Sequence, residues 1–199
     1  MTDKGEIDSR TDGRRERSRS SRAKIVSAML DLVRRGDVAP SAARVADEAG
    51  VGLRTVFRHF DDMDSLYREM SETIEAQVMP IVTRPFAGID WRSDLTDMVT
   101  RRIQVFETIL PFRLSANIKR YQSAFLMADY ARLTQLETQL VMAILPDHVR
   151  ADRTGVAALC VALSFQSWRV LRHDQQLSPE RAADVLKRMV SAIAKDLPA

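Results

Sequence analysis

The chain of 199 residues is 45% apolar and 29% charged and carries a net charge of +3. That apolar content is ample for a packed core, in one mid-sized domain or a small domain fused to a larger one, and it excludes a wholly disordered chain. Seven glycines and seven prolines are too few for a turn-rich β architecture, and a single cysteine, Cys160, excludes an internal disulfide or a cysteine-built zinc site.

A lone cysteine in an apolar run also suits a structural thiol in a reducing cytosol. No apolar stretch approaches the ~18 residues that span a bilayer, and the opening MTDKGEID is too charged for a secretory signal. A cytoplasmic protein with no membrane partner is expected. The positive charge is concentrated: residues 14–59 hold eleven Lys/Arg against five Asp/Glu, a net +6, while the rest sums to −3. A phosphate-binding surface needs such a concentration, because each neutralised phosphate releases condensed counterions.

Residues 1–21 are polar and charged, with Ile7 the only large apolar residue, and are expected to form a disordered basic arm. Its basic, serine-rich half, Arg14–Arg22, is placed to follow a DNA backbone or enter a minor groove beside the main contact. A solubilising tail is the alternative. Helix one is predicted over Arg22–Arg35, with Ile25, Met29, Leu32 and Val33 on one stripe and Gly36 as its stop. Ser41 is an N-cap for helix two, Ala42–Ala49. Gly50 breaks the pattern, as a residue at positive φ commonly does, and helix three runs from Leu53 to Phe60.

Ala46, Gly50 and Val56 supply a small residue, a turn residue and an apolar anchor, the set that two short, steeply crossing helices require. The stretch 41–60 thus reads as a helix-turn-helix whose third helix buries Val56 and Phe60. That helix presents Leu53, Arg54, Thr55, Phe57, Arg58 and His59 to a major groove. Arg54 is the base-reading candidate, since a guanidinium pairs with both guanine acceptors. Thr55 can touch a thymine methyl or a phosphate, and Leu53 makes apolar contacts only. Asp61, Asp62 and Asp64 read as acidic caps of the next helix rather than a metal site.

Long helices follow at Ser65–Val82, at Trp91–Leu110, at Phe112–Lys119 beyond an interruption at Pro111, and at Tyr121–Leu145 up to Pro146. The last two are Arg153–Asp174 and Pro179–Leu197, the final one opened by Ser178-Pro179-Glu180. On 153–174, Val156, Leu159, Cys160, Leu163 and Val170 share one face, while Val161, Phe165 and Trp168 share another. A helix apolar on two sides must be covered on two sides. These last two helices are expected to meet their copies in a second subunit, with Val156, Cys160, Leu163, Leu186, Val190 and Ile193 at the interface. Burial within one subunit is the alternative.

Ser41–Leu66, SAARVADEAGVGLRTVFRHFDDMDSL, resembles the DNA-binding segment of the tetracycline-repressor (TetR) family. The likeness lies in Ser41 opening helix two, the Val45-Ala46 pair, the acidic-Ala-Gly-Val run Glu48–Val51, Phe57-Arg58-His59-Phe60, and Leu66. It implies an all-α fold. An N-terminal three-helix helix-turn-helix domain at 22–67 would join a larger C-terminal helical ligand-binding and dimerisation domain at 68–199. It also implies that Ser41 and Arg44 dock on phosphate through the first turn of helix two, and that Arg58 and His59 hold the backbone. Phe57 stands at the family's usual tyrosine, Ala43 where some relatives carry arginine, and Met63 where lysine is common. Each departure removes one contact to DNA.

In that family the middle helices enclose a ligand cavity. Trp91, Arg102, Phe106, Phe112, Phe125 and Tyr130 are its lining candidates here, suited to an apolar or aromatic small-molecule effector. The implied function is a dimeric, ligand-responsive transcriptional repressor whose recognition helices sit ~34–36 Å apart on a palindromic double-stranded operator. An effector-independent architectural DNA-binding protein is the alternative. An enzyme has little support: there is no phosphate-cradling glycine loop, no histidine pair at metal spacing and no nucleophile constellation around Cys160. No catalytic residue, metal or cofactor is expected.

Overall fold

The computed structural model describes the backbone of residues 5–198 and the side chains of residue 16 and of 18–198, and every regular element among them is a helix. The elements divide into two units, each with its own core.

The first unit takes the chain up to Thr73 together with Pro111–Leu126. Here α1 (Gly5–Arg34), α2 (Ala42–Ala49) and α3 (Leu53–His59) enclose Ile25, Met29, Leu32, Val33, Val45, Val56 and Phe60, all buried. The stripe predicted on helix one is therefore its inner face. α1 itself starts earlier than predicted, at Gly5, and continues through the stretch read as a disordered arm. Arginine and glutamate are good helix formers, and extending a helix already nucleated on a packed segment costs little per residue. Residues 1–4, and the side chains of Arg14, Arg15 and Arg17, lie outside the described residues.

α4 (Met63–Val82) opens on a reciprocal cap: the Ser65 N–H donates to Asp62 Oδ1 at 2.8 Å and the Asp62 N–H to Ser65 Oγ at 3.4 Å. Of the three aspartates Asp62 makes the cap, and no group of three metal-ligating side chains occurs among the described residues.

The segment 111–126, predicted as regulatory, belongs to this first unit. Ser123 Oγ donates to Asp64 at 2.7 Å, and the Tyr67 and Ser115 hydroxyls lie 3.3 Å apart in the interior. Arg34 and Arg68 cover the Phe112 and Phe125 rings at 5.5 and 4.1 Å. α5 (Trp91–Lys119) passes unbroken through Pro111, where an interruption was predicted. Proline removes one helical hydrogen bond, a loss that packed flanks on either side can carry.

The second unit comprises Ile74–Leu110 and Met127–Ala199. α6 (Ala124–Ile144), α7 (Asp147–Arg150), α8 (Arg153–Ala162), α9 (Phe165–Arg169) and α10 (Pro179–Asp196) contribute to a core in which Leu159, Leu163, Phe165, Trp168 and Leu186 are fully buried. Phe106 meets Phe165 edge to face, with ring centroids 5.7 Å apart.

The single helix predicted over 153–174 is broken instead. Ser164 is extended at φ −79° and ψ 154°, and its Oγ accepts the Ser167 N–H at 3.3 Å, so α9 starts afresh at 43° to α8. A break inside a core leaves backbone groups without partners, and side chains supply them. Arg102 donates to the Leu163 carbonyl and, at 2.5 Å, to the Glu137 carbonyl, and the Glu137 carboxylate accepts the Phe165 N–H at 3.1 Å. Burial lowers the Arg102 pKa to about 10, so the guanidinium stays charged at neutral pH.

For four of the six residues predicted at an interface the structure differs from the expectation. Val156, Leu163, Leu186 and Val190 are buried in the core of their own chain, and Cys160 and Ile193 pack half-buried against it. The bend after α8 turns Phe165 and Trp168 into that same core, while Val161, predicted on the same face, stays 66% exposed. No single helix among the described residues is long and apolar enough to cross a membrane.

Candidate nucleic-acid interface

Ser41, extended at φ −80° and ψ 157°, starts α2 by accepting the Arg44 N–H at 3.3 Å. Gly50 ends it in the left-handed region at φ 64° and ψ 36°. Its own N–H reaches the Asp47 carbonyl at 3.2 Å, and the Val51 N–H reaches Ala46 at 3.0 Å. This wrap turns the chain within two residues at no side-chain strain, because glycine has none to clash. α3 then starts at Gly52, and Val56 and Phe60 anchor it, at 1% and 2% exposure.

The outer surface of α3 has a different character. At 3.6 residues per turn, Leu53, Arg54, Phe57 and Arg58 fall within an arc of ~140°. Leu53 is 45% and Phe57 49% exposed, and both arginines are exposed. Among the described residues neither arginine has an ion-pair partner. The neighbouring cations are engaged: Arg44 with Asp37 at 2.8 Å and Arg35 with Glu48 at 2.6 Å. Arg22 pairs with Glu69 at 2.6 Å, donates to the His59 carbonyl at 2.5 Å and lies 4.4 Å over the Phe60 ring. Arg22 therefore fastens the end of α3 to α1 and α4. Sequence reading missed that role, since 47 residues separate Arg22 from Glu69 and no local pattern links them.

The predicted contacts are thus unequal. Ser41, Leu53, Arg54, Phe57 and Arg58 are exposed on the α2–α3 unit, and Thr55 is half-buried beside them. Arg44 is exposed but paired with Asp37. His59 is turned inward: Nε2 is buried and has no hydrogen-bond partner among the described residues. Burial first, then the charges of Arg58 and Arg22, lower its pKa below the usual 6.5, and Glu69 opposes them.

The six pocket candidates do not share a unit. Phe112 and Phe125 lie in the first, and Trp91, Arg102, Phe106 and Tyr130 in the second. Arg102 and Phe106 are core, and Trp91 and Tyr130 are half-buried. The second unit holds a cleft of 390 Å³ between α5 and α10, and none of the six lines it. Its walls come from segments some ninety residues apart, so the sequence carried no signal for it.

No protein-family model and no curated protein matches the chain. Solved structures do resemble it. A transcriptional regulator from Rhodococcus sp. Rha1 aligns with a TM-score of 0.63 at 13% identity, covering 89% of this chain and 98% of that one. A candidate transcriptional regulator from Pseudomonas aeruginosa PAO1 aligns with a TM-score of 0.60 at 16% identity, covering 88% and 90%. At these identities the likeness concerns the fold: the chain has the all-helical fold of these transcriptional-regulator structures.

Proposed function

We propose that the chain is a sequence-specific, DNA-binding transcriptional regulator of the TetR type, acting as a homodimeric repressor on a palindromic operator and released by a small molecule. The outer face of α3 carries this reading. Two guanidinia without ion-pair partners among the described residues and two large exposed apolar side chains stand on a short helix fixed by Gly50, Val56 and Phe60. Nothing in the packing of the unit requires them there. A major groove offers partners to both kinds, base edges and phosphates to the arginines and thymine methyls to Leu53.

With the four buried residues set aside, the exposed apolar side chains on α8 and α10 are Ala157, Ala158, Val161, Val185, Met189 and Ala192, with half-buried Cys160 and Ile193 beside them and Val161 66% exposed. A two-fold copy would remove that surface from water, at ~25 cal/mol per Å². α4, α5 and α6 each run from one unit into the other and are the covalent routes by which an effector in the second unit biases the first. The effector lowers DNA affinity only by its preference for one conformer over another.

Selection of bound duplexes from a random pool tests the proposal. The expected consensus is a palindrome with half-sites about one helical turn apart. A purified chain that stays monomeric and shows no preference among duplexes in modest salt overturns it.

A further inference from the structure

The cleft between α5 and α10 has a definite chemistry. Its floor is apolar: Leu95, Val99 and Val190 are each buried to within 4% of full enclosure. Its rim carries Arg92, Lys187 and Lys195, and among the described residues no acidic side chain lines it. Arg92 is held in place by neutral partners. Its Nη2 donates to the Ala194 and Leu197 carbonyls at 3.2 and 3.1 Å, and its guanidinium lies 4.1 Å over the Trp91 ring. The carboxylate that feels Arg92, that of Asp90, is engaged chiefly with Ser93, accepting its N–H at 2.8 Å. A fixed, positively charged group thus sits at the edge of an apolar trough, and among the described residues no carboxylate lines the trough.

That combination selects a molecule with one apolar and one anionic part, because burying the tail and pairing the head are each favourable only at their own end of the cleft. A volume of 390 Å³ lies near the lower end of small-molecule sites, ~300–1,000 Å³, and suits a medium-length chain better than a large ring system. We propose that this cleft binds a small amphipathic carboxylate, with its tail on Leu95, Val99 and Val190 and its head among Arg92, Lys187 and Lys195. On α10 the cleft residues Lys187, Ser191 and Ala194 fall on the opposite side from Val185 and Met189 at 3.6 residues per turn, so pairing of subunits through the latter leaves the cleft open. Any regulatory consequence rests on the DNA-binding role proposed above; occupancy of the cleft does not.

Calorimetric titration of the full chain with decanoate, and with decanol as the neutral control, tests it. Decanoate binds saturably at one site per chain and decanol more weakly. Lys187→Glu/Lys195→Glu, at two exposed positions that folding tolerates, weakens decanoate about tenfold and leaves decanol unchanged. Ser191→Trp, which fills the cleft from an exposed position, abolishes both. No saturable decanoate binding, or equal affinity in the parent and the charge-reversed chain with both folded by circular dichroism, overturns the proposal. Duplex binding measured in parallel separates the two claims. A chain that binds decanoate but no duplex keeps the cleft and removes the regulator, and a chain that reads an operator but ignores decanoate does the reverse.

Discussion

Arg102 donates to the carbonyl of Leu163, 61 residues away, at the point where α8 stops and the chain turns into α9. The same guanidinium donates to Glu137, whose carboxylate holds the first N–H of α9. Arg102→Met keeps the length of the side chain but strips two carbonyls of their donor in a dry interior. A loss of ~2–4 kcal/mol in urea unfolding is expected, with part recovered by Arg102→Lys. An unchanged midpoint for the methionine variant means the break is held by packing alone.

Gly50 and Gly52 flank the turn of the helix-turn-helix and make a matched pair. A methyl group at either would meet nothing within 4 Å, but Gly50 sits at φ 64° and Gly52 at φ −70°. Gly50→Ala should therefore destabilise by ~1 kcal/mol through backbone strain, while Gly52→Ala is neutral or slightly stabilising. Thermal unfolding of the two variants reads the difference directly, and equal effects would contradict it.

Arg54 and Arg58 share the exposed face of α3, and the proposed function gives them different partners on DNA. Arg54→Ala should relax base preference at one position of each half-site and cost ~1–3 kcal/mol. Arg58→Ala should weaken all sequences alike and reduce the slope of log affinity against log salt by about one. Binding isotherms at several salt concentrations, on operator and scrambled duplexes, distinguish the two. The assignment fails if both variants lose sequence preference together.

His59 makes stability depend on pH in a predictable direction. Its folded pKa lies below the unfolded value of 6.5, because burial and the charges of Arg58 and Arg22 disfavour the cation. Above 6.5 the ring is neutral in both states and the stability of the neutral form is fully present. As pH falls below 6.5 the unfolded chain takes up the proton first, and stability is lost as pH drops through the folded pKa. His59→Gln should flatten the dependence of the unfolding midpoint between pH 7 and 5. Parallel curves for the two proteins would show that His59 contributes nothing there.

Val161 and Val156 lie ~140° apart around α8, one 66% exposed and the other buried. Val161→Glu combined with Met189→Glu should convert a dimer to monomers in light scattering while leaving the unfolding midpoint of each subunit's core largely intact. Val156→Ala should do the opposite, lowering stability through a core cavity without changing mass. A dimer that survives the glutamates places the interface elsewhere.

Local chemistry within a few residues was enough for the helix-turn-helix. Ser41 and Gly50 act on neighbours one to five positions away, through a cap and a left-handed turn, and Val56 and Phe60 show their inward stripe in the local spacing; all four stand as the sequence predicts. Periodicity likewise determined that α8 and α10 have apolar faces. It did not determine what covers them, because a stripe reports that a surface avoids water and not which surface it meets. That decision, together with the break at Ser164, the transfer of 111–126 to the first unit and the cleft beside Arg92, rests on contacts such as Arg102 to Leu163 and Arg92 to Leu197, the latter spanning 105 residues. Such pairs leave no mark on the chain between them, and only the folded arrangement brings them together.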